Sequence, residues 1–235
     1  MTDSITLDIP ADLLLPAGGT GPGIVLFQEI FGVTDYIRSR AQDLADLGYV
    51  VLVPHLYARL GDPVVEEGGA GLPRAMELLQ QLDWDRAVLD GVAALEVLGS
   101  HDAVTGGLGV LGFCFGGGLA FAVAAQADSK PDVLVSYYGS ALPNLLALAP
   151  RVSVPSLHHF GESDAYIPLD TVREIEKAVT SSNDAVTFET YAGADHAFDN
   201  PSPVFHHAEA SRQAWSTTAA WLGKHLPTGA EPSPS

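Results

Sequence analysis

The sequence predicts an α/β protein built on a mostly parallel, doubly wound sheet, with helices on both faces and a small cap segment. Three observations carry that prediction. Apolar runs rich in β-branched residues recur at 24–27, 50–53, 108–111, 133–138, 156–160 and 186–191, several of them continuously apolar, as strands buried on both faces are. Helical patterns alternate with most of these runs. The single cysteine, Cys114, stands where the third run enters Gly112-Phe113-Cys114-Phe115-Gly116 and then a small-residue helical segment. That is the strand-turn-helix setting of a nucleophile elbow.

Taken in chain order, 34–47 places Ile37, Ala41 and Leu44 on one helical face. Residues 57–72 are rich in glycine and acidic side chains and show little periodicity; two short helical segments follow, divided near Asp83-Trp84-Asp85. This stretch, about 57–83, lies after one strand and ahead of the elbow strand, which places it as a cap over the carboxyl edge of the sheet, where open α/β sheets bind ligands. Asp170 is expected to cap a helix carrying Val172, Ile175 and Val179. A final helix, roughly 204–225, sets Phe205, Ala208, Trp215, Ala219 and Leu222 on one stripe, the pattern of a packing face. One domain over 1–225 is expected, and the proline-rich stretch 226–235 has nothing to bury and is expected to be disordered.

Composition narrows the function. The 235 residues, 47% hydrophobic, suffice for one large core. With 11 basic and 29 acidic residues the formal net charge is −18, a field that repels nucleic acid and acidic membrane surfaces. No apolar run approaches the ~18 residues of a membrane-spanning helix. One cysteine permits no internal disulfide, and no secretory leader pattern opens the sequence, so a cytoplasmic location is expected. His206-His207 with Glu209 lacks metal-ligand spacing; neither a metal nor a cofactor is expected.

The chemistry centres on the thiol. At a helix N-terminus its anion is favoured by the helix dipole and by unpaired backbone N–H groups. A thiol nucleophile needs a base, and the base needs a third group to fix its tautomer. His196, in Gly193-Ala194-Asp195-His196-Ala197-Phe198 after the last strand, and Asp164, in Phe160-Gly161-Glu162-Ser163-Asp164 after the preceding one, fit those roles. The chain order of nucleophile, acid and histidine is that of α/β hydrolases. His101, His206, His207 and His225 read as surface or satisfied residues, and His158 and His159, inside a strand, as packing. Gln28-Glu29-Ile30-Phe31-Gly32 directly follows the first strand, where this fold draws its second oxyanion N–H; Ile30 and Phe115 are the expected donors. Glu29 is either an exposed loop carboxylate or a buried one that must raise its pKa or find a partner.

With these segments and Leu56-Tyr57-Ala58-Arg59, the chain resembles the dienelactone hydrolase family over about residues 5–225. The resemblance implies hydrolysis of a small ester or lactone through an acyl-thiol intermediate, with Cys114 as nucleophile, His196 as base and Asp164 as its orienting acid. It further implies that Glu29 holds the resting thiol and accepts its proton, and that the protein is a monomer or weak homo-oligomer. The family's substrate carries a carboxylate that two arginines are expected to hold. At those positions this chain has Asn200 and, in the cap, Leu72. Arg74 and Arg59 are the available replacement anchors, and Phe31 and Tyr138 are expected to line an apolar pocket. Acyl transfer, hydrolysis of neutral esters by a general carboxylesterase, and a non-hydrolytic redox-sensitive thiol are the alternative readings.

Overall fold

The computed structural model describes residues 7–229. The apolar runs become a seven-stranded sheet in the order β1-β3-β2-β4-β5-β6-β7. It comprises β1 (Ala11–Leu14), β2 (Gly21–Phe27), β3 (Val50–Pro54), β4 (Val104–Phe113), β5 (Val133–Tyr137), β6 (Ser156–Gly161) and β7 (Val186–Tyr191). Every neighbouring pair is parallel except β1 with β3. The edge strand β1 was not anticipated, because four half-buried residues carry too little apolar pattern to read as a strand.

Six helices accompany the sheet: α1 (Asp35–Asp46), α2 (Leu72–Gln81), α3 (Trp84–Gly99), α4 (Phe115–Gln126), α5 (Leu169–Thr180) and α6 (Ala208–His225). The chain leaves β2 through α1 to reach β3 on one side, then returns past β2 to β4. Right-handed crossovers in opposite directions put their helices on opposite faces, which makes the sheet doubly wound. The reversal also opens a crevice between the carboxyl ends of β2 and β4. Helix α4 is buried from Phe115 to Ala125; its glycines and alanines let it lie close against β4 and β5.

Four local expectations are corrected. Helix α3, expected as a short segment, is 16 residues long with Asp83 as its N-cap and packs with α4 on the sheet. Helix α5 is preceded by Pro168, and Asp170 lies in its first turn instead of at the cap. Helix α6 begins at Ala208, where the His207 side chain accepts from the Ala210 N–H at 3.2 Å, which leaves Phe205 outside the helix. At the other end Leu226 is buried and its carbonyl accepts from the Tyr49 hydroxyl at 3.0 Å, so the stretch expected to be disordered does not begin there; residues 230–235 lie outside the described part of the chain.

A buried ion pair ties α1 to the loop that follows β7. The Asp199 carboxylate accepts from Arg40 Nε at 2.8 Å and Arg40 Nη2 at 2.7 Å, from the Tyr36 hydroxyl at 2.6 Å and from the Ser211 hydroxyl at 2.7 Å. The Arg40 guanidinium also lies 4.5 Å from the centre of the Trp215 ring on α6. Removing Asp199 leaves the Arg40 charge with only the more exposed Asp43, at 2.8 Å, as a partner. Asp199→Ala is therefore expected to lower stability by about 3–5 kcal/mol, measured as the urea midpoint at constant m-value.

Candidate active site

Cys114 sits at the end of β4 with φ +53°, in the left-handed region, where the turn from strand to helix forces it. The flanking glycines are steric necessities. A Cβ on Gly112 would stand 2.0 Å from the Gly116 carbonyl oxygen, and one on Gly116 would stand 2.5 Å from the carbonyl oxygens of Phe27 and Gln28. The thiol is thereby held at the N-terminus of α4, next to the crevice between β2 and β4.

The structure brings Cys114, His196 and Asp164 together. Sγ of Cys114 lies 3.1 Å from His196 Nε2, and His196 Nδ1 lies 2.7 Å from Asp164 Oδ2. The other oxygen of Asp164 accepts from the N–H groups of Tyr166 and Ile167, both at 2.8 Å, so the acid is fixed by its own loop. Asp195 braces the two loops against each other, accepting from Ala165 N–H at 2.9 Å and His196 N–H at 2.7 Å. Burial opposes a charge on the imidazole, but the thiolate form of Cys114 and the Asp164 hydrogen bond outweigh it and hold His196 well above its ordinary range. Such an imidazole is able to take the thiol's proton. By contrast, His158 and His159 are buried in β6 and pushed by desolvation down to about 4 and about 3; they are neutral packing residues.

Ile30 and Glu29 lie just past β2, across the crevice from the thiol. Their backbone is pinned from behind. Gln28 Oε1 accepts from the Leu56 N–H at 3.2 Å, and the Tyr57 hydroxyl donates to the Ile30 carbonyl at 2.9 Å. The Phe115 N–H opens α4, where the first N–H groups have no acceptor within the helix. Glu29 is buried and its Oε2 accepts from Asn200 Nδ2 at 2.8 Å, while Oε1 has no partner of ordinary geometry among the described residues. Desolvation pushes its pKa up to about 7, with Glu67 adding to the rise and Asn200, His196 and Tyr138 opposing it. The expectation that Glu29 holds the resting thiol is not met, because the thiol rests on His196 and Glu29 on Asn200.

A cavity of about 110 Å³ opens on the thiol. Away from Glu29, Ser140 and His196 its walls are largely apolar, from Ile30 and Phe31 on one side to Leu72, Met76 and Leu79 of α2 and Phe205 on the other. The Phe31 and Phe205 rings approach to 6.0 Å between centres. No arginine or lysine lines it among the described residues. Arg59 is drawn away into a bidentate pair with Asp90, and Arg74 is half-exposed and bonded to Glu77 at 3.0 Å. Tyr138 is buried behind the cavity: its ring packs 5.3 Å from that of His196, and its hydroxyl lies 3.3 Å from that of Tyr36. Phe205 corrects the packing-stripe reading, since it faces the cavity.

Sequence reasoning missed several neighbours. Ser140 lies 3.8 Å from the thiol sulfur through its hydroxyl; its place just beyond β5 is the signal that could have found it. Leu72, Met76 and Leu79 share a helical face whose spacing reads as packing. Tyr166, two residues after Asp164, also lines the cavity.

A thiol, an imidazole and a carboxylate on three loops at the carboxyl edge of a doubly wound sheet, in that spatial and chain order, define an enzyme of the α/β-hydrolase fold. The model of the dienelactone hydrolase family matches residues 9–226, and the chain belongs to that family. It is 32% identical to the carboxymethylenebutenolidase of Pseudomonas sp. strain P51, over 97% of this chain and 98% of the relative. It is 33% identical to the carboxymethylenebutenolidase of Pseudomonas putida, over 85% and 84%. A provisionally named dienelactone hydrolase of Klebsiella pneumoniae superimposes with a TM-score of 0.80 at 29% identity, covering 92% of this chain and 93% of the other. The protein is a hydrolase of ester or lactone bonds. Among the described residues no helix is long and apolar enough to cross a membrane.

Proposed function

We propose that the chain hydrolyses small, neutral esters or lactones by thiol catalysis, and the observation that carries this is the contact chain from Cys114 through His196 to Asp164. His196 Nε2 takes the Sγ proton as the sulfur attacks the carbonyl carbon. The oxyanion is received by the N–H groups of Ile30 and Phe115. Collapse of the tetrahedral adduct expels the alcohol oxygen, which takes the proton back from His196 and leaves an acyl-thiol. Water, deprotonated by the same imidazole, then releases the acid and restores the thiol. Asp164 holds the imidazole tautomer and steadies its charge in both halves.

Neutrality of the substrate follows from the cavity wall. An anionic substrate would meet apolar side chains and the Glu29 carboxyl with no arginine or lysine to pair with, on a chain of net charge −18. Each missing charge-assisted hydrogen bond forgoes about 1.5–3 kcal/mol. A neutral methyl ester of an unsaturated lactone acid should be turned over with a kcat/KM roughly 10²-fold or more above that of the free carboxylate. Added salt should narrow the gap. A higher kcat/KM for the carboxylate would refute the neutral reading and leave the thiol chemistry standing. In this reading the enzyme works as one domain, as a monomer or weak homo-oligomer in the cytoplasm, and its charge argues against nucleic acid as a partner.

A further inference from the structure

The loop ahead of α2 touches the body of the enzyme at points that converge on the cavity. The Val65 N–H donates to the Phe31 carbonyl at 2.9 Å, and the Ser202 hydroxyl donates to the Glu67 carbonyl at 3.4 Å. Between them lies a charged contact. Oε1 of Glu67 accepts from the Thr34 hydroxyl at 2.7 Å and from Asn200 Nδ2 at 3.1 Å. That Asn200 nitrogen is the same one that holds Glu29 at 2.8 Å. Its orientation is fixed, because Asn200 Oδ1 accepts from the Ser202 N–H at 2.9 Å. The two hydrogens of one amide are thus divided between a carboxyl in the cavity wall and a carboxyl on the cap.

We propose that Glu67 is a positioning residue: through Asn200 it clamps the cap loop over the cavity and sets the charge state and placement of Glu29. The proposal rests on the thiol-hydrolase reading only for its kinetic readout. Two carboxylates on one amide repel, so the clamp is most secure when one of them carries a proton. Glu29 is the more buried, and it faces His196 and Cys114 across the cavity, Tyr36 from α1 and Tyr138 from the loop after β5. Glu67 is half-buried; burial raises its pKa against the hydrogen bonds from Thr34 and Asn200, and Asp35 of α1 adds to the rise. Because Glu67 contributes to the rise at Glu29, removing its charge moves the titration of Glu29 to lower pH.

Two variants separate the functions of the side chain. Glu67→Gln keeps an acceptor for Thr34 and Asn200 and removes the charge; Glu67→Ala removes both. Two readouts are followed from pH 5 to 9: the rate of Cys114 alkylation by iodoacetamide, which needs no turnover, and kcat/KM for a neutral aryl ester. Both variants are expected to move the inflection near pH 7 downward, and Glu67→Ala alone to raise KM roughly tenfold, the loss of one charged hydrogen bond. In a Glu29→Gln background the inflection should be absent and Glu67→Gln without effect on it. An inflection that stays in place in both single variants overturns the proposal, whatever happens to the melting temperature. Absence of ester turnover in the wild type overturns the hydrolase reading instead, and leaves the alkylation profile to decide on Glu67.

Discussion

Cys114→Ala is expected to lower kcat/KM for a neutral ester by at least about 10⁴-fold, with KM little changed. The elbow places one sulfur 3.1 Å from the imidazole, and no other thiol exists in the chain to take over. His196→Gln should lose about 10²–10⁴-fold, the range for removal of a general base. Because it also stalls deacylation, it should accumulate an acyl adduct on Cys114 visible in the intact mass. Full activity in Cys114→Ala would end the thiol mechanism. Loss of activity without any adduct in the histidine variant would place the first need for His196 in acylation, where the same imidazole takes the thiol proton.

The second large effect is on stability. Glu29 has a folded pKa of about 7 against an ordinary 4.5, so the folded state binds its proton more tightly than the unfolded chain does. The sign is fixed by that difference: below pH 4.5 the residue costs nothing, the cost grows between 4.5 and 7, and above 7 it is complete. A difference of this size corresponds to about 3 kcal/mol. Glu29→Gln should therefore be more stable than the wild type by about 3 kcal/mol at pH 8.5, falling to about 1 kcal/mol at pH 5. Urea titrations at the two pH values read it directly. An equal difference at both would mean that the folded and unfolded pKa values coincide, the buried charge being fully compensated.

The parts of this molecule that were legible in the sequence are those where chemistry or sterics admits few residue types. Gly112 and Gly116 have no room for a Cβ, the thiol must follow a strand, and the acid and histidine must follow later strands to converge on it, so each left a mark at a definite place. Beyond Phe31, the apolar walls of the cavity left no such mark. Leu72, Met76 and Leu79 have the spacing of any packed helix, and Phe205 sat in an apolar stripe until the His207 cap started α6 beyond it. The fate of Arg59 depends on Asp90, 31 positions away, and the link of Asn200 to Glu67 spans 133. Contacts of that reach have no local signature, and the net charge hints only at their consequence.

Among the described residues, four that are not glycine have positive φ, and three of them surround the cavity: Cys114 at +53°, Tyr138 at +36° and Ala197 at +56°. Each such conformation costs on the order of 1–3 kcal/mol and persists only because its surroundings overrule it. The rim of the sheet is therefore where this protein is least relaxed, and heat tolerance and turnover pull on the same three residues in opposite directions. A hardier descendant of this sequence has to find its gains elsewhere, in the surface helices and loops, and leave the tension around the thiol in place.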